Sequence, residues 1–116
     1  MRKRTPLTAI GLALALAGAA PTTVALADDE THVQISIKGH RFDPAELTAP
    51  PGKPVVIEVN NLDPTPAEFE SKTLRVEKVV AGGGTITVKV RALAPGRYRF
   101  FDDYHEETTV GFLVVK

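Results

Sequence analysis

Apolar and polar residues alternate one by one from Thr31 to Ile37, with Val33, Ile35 and Ile37 on one side and Gln34 and Ser36 on the other. A period of two is that of a strand with one buried face. The β-branched run Val55-Val56-Ile57-Glu58-Val59 predicts another strand, Thr85-Ile86-Thr87-Val88-Lys89-Val90 alternates again, and Val110 to Val115 predicts the last. Turn signals separate these segments: Pro50-Pro51-Gly52, Asn60-Asn61 followed by Asp63-Pro64-Thr65-Pro66, Gly82-Gly83-Gly84, and Pro95-Gly96. The glycine triplet is a turn rather than a phosphate cradle, because its flanks are strand-like and no Lys-Ser/Thr follows it. Leu74 to Val79 fits helical and strand spacing equally well. Short strands punctuated by turns predict an all-β fold, a β-sandwich of about seven strands.

The first residues break this pattern. Met1-Arg2-Lys3-Arg4 is basic, Leu7 to Ala20 is uncharged and rich in Leu and Ala, and Val24-Ala25-Leu26-Ala27 leads into Asp28-Asp29-Glu30. A basic start, an apolar stretch and small residues before an acidic onset make a cleavable signal peptide over 1–27. Pro6 and Pro21 bracket a run shorter than the roughly 20 apolar residues of a membrane-spanning helix. The expected domains are therefore a signal peptide, 1–27, and one exported domain, 28–116, with a periplasmic destination.

Removing 27 of 116 residues leaves 89, enough for one modest core. Of 14 basic residues, Arg2, Lys3 and Arg4 go with the leader, so 11 remain against 14 acidic ones, a formal charge of −3. With no basic run left, nucleic acid is excluded as a natural partner. The chain has no cysteine. Small exported domains commonly supplement their cores with disulfides or a metal, and only the second is open here.

Metal-competent residues fall in two places. Glu68-Phe69-Glu70 follows the Pro-rich loop, and in an extended chain both carboxylates project to one face while Phe69 turns to the other. Asp102-Asp103-Tyr104-His105-Glu106-Glu107 lies between the last two strands, and ionisable groups so close repel unless solvated or neutralised by a cation. The plain alternative is a solvated acidic loop. Tyr98, Phe100 and Phe101 flank the second cluster, at least two of them as core residues, and Tyr98 is placed to hydrogen-bond across a corner.

The order of these features resembles the cupredoxin family across the 28–116 segment. Asn60-Asn61 through Glu68 stands where that family has its first histidine, and Tyr98-Arg99-Phe100-Phe101-Asp102 through His105 stands where it has Tyr-x-Phe-x-Cys-x-x-His. The resemblance implies a Greek-key sandwich. The departures are large: Asp102 replaces the cysteine thiolate, Glu68 lies near the first histidine position, and no methionine follows His105, Met1 being the sole one. Pro66-Ala67-Glu68-Phe69-Glu70-Ser71, Glu77-Lys78 and Phe101-Asp102-Asp103-Tyr104-His105 are similar to a subgroup, the EfeO-type cupredoxin-like proteins that accompany bacterial iron permeases. That resemblance implies a metal ligand core of Glu68, Asp102 and His105, with Glu70 and Asp103 completing the shell or forming a second oxygen site. His40, in Gly39-His40-Arg41-Phe42-Asp43-Pro44, is a weaker candidate. His32 alternates away from Val33 and is expected to face solvent.

Carboxylate and imidazole are harder donors than thiolate and thioether, so the site suits Cu(II) or iron rather than a blue-copper centre. The expected function is a periplasmic binding protein for Cu(II), iron or both, assisting uptake through an inner-membrane iron permease. Two other functions stay open at this level. One is a ferroxidase acting on Fe(II) with a copper centre; the other is a metal-free sandwich used for adhesion or assembly.

Overall fold

The computed structural model describes residues 29–116, with the isolated positions Lys3 and Gly18. The leader expected over 1–27 and its cleavage point before Asp28 lie outside the described residues. Nine strands follow in chain order: β1 (Thr31–Ile37), β2 (Phe42–Asp43), β3 (Glu46–Ala49), β4 (Val55–Asn61), β5 (Ala67–Ser71), β6 (Val76–Val80), β7 (Thr85–Val90), β8 (Gly96–Asp102) and β9 (Val110–Val115). No helix occurs among the described residues. The strands form two sheets, ordered β2-β1-β4-β7 and β3-β9-β8-β5-β6.

The expected sandwich is thus present, with two short additions. β2 pairs back onto β1 through a tight turn, and β3 crosses to the edge of the second sheet, parallel to β9. The chain then returns as β4 beside β1, which forces those two strands to run parallel, with Ile35 opposite Val59. Such a crossing between sheets is what makes the topology a Greek key rather than a meander. The ambiguous stretch from Leu74 to Val79 resolves into a turn and β6, because β5 offers it a ladder with Glu70 opposite Glu77.

Inward residues of both sheets make one core that includes Ile35, Ile37, Ile57, Val59, Phe69, Phe100 and Leu113. Phe100 stacks on Phe69 with centroids 5.0 Å apart, and Phe42 meets Phe100 edge-on at 5.0 Å. Each such pair contributes about 0.5–1.5 kcal/mol beyond its buried area. Gly111 lies against this cluster: a Cβ there would strike the Phe100 ring and approach the Ala45 carbonyl oxygen at 2.9 Å. The Tyr98 hydroxyl donates to the Ala94 carbonyl at 2.7 Å, fixing the corner before β8.

Three connections converge at one end of the sandwich. They are the β1–β2 turn carrying His40, the β4–β5 loop carrying Asp63, and the β8–β9 loop carrying Asp102 to Thr109. Core packing of the strands therefore sets the positions of all three.

Candidate metal centre

Strand parity sorts the ionisable residues into two groups. In β5, Phe69 is fully buried, so Glu68 and Glu70 lie on the outer face of the five-stranded sheet. β8 pairs with β5 so that Phe69 is opposite Asp102 and Glu70 opposite Phe101. Residues paired across a ladder share a face, which sends Asp102 inward with Phe69 and leaves Asp103 to the outside. The run from Asp102 to Glu107 is consequently two half-sites rather than one acidic loop.

The outer group is carboxylate-only. Glu68, Glu70 and Asp103 each offer an oxygen within 4.8 Å of the others. One further carboxylate, Glu77, and a flanking phenol, Tyr104, were not foreseen as site residues. Glu77 lies directly opposite Glu70 on β6 and contacts Glu68, and the Tyr104 hydroxyl reaches Glu68. Glu77 could have been found as the outward partner of Glu70 had the β5–β6 register been known. Desolvation at the sheet surface, followed by hydrogen bonding and charge repulsion from Glu77, raises the Glu68 carboxyl above its ordinary 4.5. Desolvation, then the charges of Asp103 and Glu77, raises Glu70 in the same direction, with Lys72 opposing. Desolvation and the Glu68 charge push the Tyr104 phenol up.

The inner group combines carboxylate and imidazole. Asp102 is only 1% exposed, and its oxygens are engaged. Oδ1 accepts the Glu68 amide at 2.9 Å and the Tyr104 amide at 3.0 Å, while Oδ2 lies 3.0 Å from His105 Nδ1. A carboxylate at this position accepts from Nδ1–H, an arrangement that in the neutral ring leaves the lone pair on Nε2. The His40 ring meets the His105 ring edge-on with centroids 3.8 Å apart. His40, a weaker candidate from sequence, thus stands beside His105, whereas His32 is exposed beside Glu30 at the far end of β1.

The two groups share a wall. Asp102 holds the Glu68 amide, the Asp103 amide donates to the Glu68 carbonyl at 2.9 Å, and His105 follows in the same loop. All six residues singled out from sequence lie along this edge of the sandwich: Glu68, Glu70 and Asp103 face outward, and Asp102, His105 and His40 line the inner side. As a donor set, oxygen and imidazole nitrogen fit a hard or borderline cation; a thiolate copper centre does not fit, because the chain has no cysteine.

Comparison with known proteins agrees with the architecture. The chain is 36% identical over 88 residues to an uncharacterized protein of Rickettsia prowazekii (strain Madrid E), a match covering 76% of this chain and 70% of that one. Among solved structures, the metal-binding domain of the Streptococcus pneumoniae D39 Cu(I)-exporting P-type ATPase CopA superposes with a TM-score of 0.69 at 14% identity, covering 77% of this chain and 88% of that domain. Auracyanin A, a blue copper protein from Chloroflexus aurantiacus, superposes at 0.63 with 18% identity over 75% of this chain and 99% of its own. At such identities the likeness establishes the fold. The model of the cupredoxin-like domain matches residues 6–115. With two facing sheets in the expected topology and a family match over nearly its whole length, this chain belongs to the cupredoxin-like domain family.

Proposed function

We propose that this chain is an exported, periplasmic metal-binding protein that holds Cu(II), iron or both through carboxylate and imidazole donors and assists iron uptake through an inner-membrane iron permease. The observation that carries this reading is the approach of Glu68, Glu70 and Asp103 to within 4.8 Å, immediately beside the His40–His105 pair. Carboxylates at that spacing raise one another's proton affinity, and a cation relieves the same repulsion. Among divalent ions such a set favours copper over iron and zinc by intrinsic affinity. Export is supported by the basic, apolar and small-residue succession ahead of Asp28. The link to iron uptake is supported by the similarity of the Glu68-Phe69-Glu70 and Asp102-to-His105 words to the permease-associated subgroup.

Bound there, copper or iron would bring a redox-capable cation to the acidic edge. The chain's own residues orient and exclude. Asp102 fixes the His105 tautomer, the Tyr104 hydroxyl reaches Glu68, and buried Phe69 between the two glutamates keeps both on one face. Titration of the purified protein with Cu(II) and with Fe(III), followed by calorimetry and electron paramagnetic resonance, tests the reading. The expected complex lacks the intense thiolate-to-copper absorption of blue proteins. Equal affinity in a Glu68→Ala/His105→Ala variant with its β-sheet dichroism intact would sink the site. Periplasmic protein beginning at Asp28, and slowed growth of a deletion strain at low iron, are the expected cellular results.

A further inference from the structure

The β1–β2 turn is held by more than its own hairpin. Lys38 and Arg41 exchange backbone hydrogen bonds of 3.0 and 3.2 Å, and between them Gly39 and His40 both have positive φ, 59° and 54°. This is a two-residue turn of the mirror-image type, for which glycine is better suited than histidine. A non-glycine residue in the left-handed region persists where its surroundings over-determine it. Here they do. Asp63 Oδ1 accepts the Gly39 amide at 2.7 Å and Oδ2 accepts the His40 amide at 2.9 Å, while Thr109 Oγ1 donates to the His40 carbonyl at 2.6 Å.

The clamp is itself anchored. Asp63 is 9% exposed, and its own amide donates to Asn61 Oδ1 at 3.1 Å. Asn61, 1% exposed, donates from Nδ2 to the Thr65 and Ala81 carbonyls at 2.8 and 3.2 Å. Both Asp63 carboxylate oxygens are spent on consecutive amides 24 and 23 residues away, which ties the β4–β5 loop to the turn that carries His40.

We infer that Asp63 is a positioning residue: its carboxylate clamps the turn so that the His40 imidazole meets that of His105. This rests on the reading that the imidazole pair contributes to a metal centre. The His40 amide, outweighing the opposing effect of burial, holds the Asp63 carboxyl below its ordinary 3.8, so the clamp is an anion at neutral pH. An amide side chain of the same size could not replace it, because its NH2 would confront one of the two backbone N–H donors.

The test compares wild type with D63N, H40A and the double variant. In the metal-free proteins, nuclear Overhauser contacts between the His40 and His105 rings are expected in wild type and absent in D63N. With Cu(II) alone as probe, D63N is expected to lose about 10- to 100-fold in affinity, the range found when a partner behind a metal ligand is removed. H40A is expected to lose affinity too, and D63N/H40A to be no weaker than H40A, since Asp63 acts through His40. Unchanged ring contacts in D63N, or losses that add in the double variant, would overturn the proposal. Amide hydrogen exchange on wild type needs no variant to fold: Gly39 and His40 amides should be protected, and exchange at the rate of an open turn would overturn the clamp. Failure of wild type to bind Cu(II) would remove the metal reading, while the ring contacts and amide exchange still decide whether Asp63 positions His40.

Discussion

Asp102 Oδ2 sits 3.0 Å from His105 Nδ1, and the same carboxylate's other oxygen accepts the amides of Glu68 and Tyr104. One buried side chain thus orients an imidazole and ties β5 to the β8–β9 loop. Asp102→Asn would keep the size and the amide contacts, yet its NH2 would donate to Nδ1 and drive the proton to Nε2. The expected result is a folded protein with a switched His105 tautomer, read from imidazole 15N shifts, and Cu(II) affinity lower by about 10- to 100-fold.

Stability should depend on pH in two separate windows. Glu68 and Glu70 have carboxyls raised in the fold, so the folded state holds their protons more tightly than the unfolded chain. Stability that these groups leave intact below 4.5 is therefore lost as pH rises through their folded values. Asp63 is lowered in the fold, so its contribution is present above 3.8 and is lost as pH falls through its folded value. Urea unfolding followed by circular dichroism across pH 2 to 8 should show a maximum between the windows for the metal-free protein. Saturating Cu(II) should lift the high-pH side, because the cation removes the repulsion there.

Glu77 faces Glu70 directly across the β5–β6 ladder, and like charges in that position oppose pairing. Glu77→Gln should raise the thermal midpoint of the metal-free protein. The same change should weaken binding of a hard cation such as Fe(III), measured by calorimetry. A lower midpoint without metal would show that the four carboxylates do not repel in solution.

Phe69 lies fully buried between the two outward glutamates and stacks on Phe100. Phe69→Ala should cost about 3–5 kcal/mol in denaturant unfolding. Metal affinity should fall with it even under conditions where the variant remains folded, since the packed ring is what keeps Glu68 and Glu70 on one face.

The strands β1 and β7 were legible because burial of one face writes a period of two into the chain, and β4 and β9 because their short runs are rich in β-branched and apolar residues. β2 and β3 escaped notice because Phe42–Asp43 and Glu46–Ala49 are too short to show a period. β6 stayed ambiguous because Leu74 to Val79 acquires its conformation from the β5 ladder beside it.

Residue type and spacing along the chain marked the two metal-competent clusters and His40, and the resemblance to the cupredoxin family singled out Glu68, Asp102 and His105 within them, with Glu70 and Asp103 beside. Their division was not readable there. Asp102 and Asp103 are neighbours in sequence, yet pairing of Asp102 with Phe69 turns one into the protein and the other to the surface. Likewise nothing near His40 announces His105, 65 positions on, or marks Asp63 as the holder of its turn. Those relations arise when three loops meet at one end of two packed sheets. Register and sheet order are properties of the whole core, and they alone decide which side chains share a space.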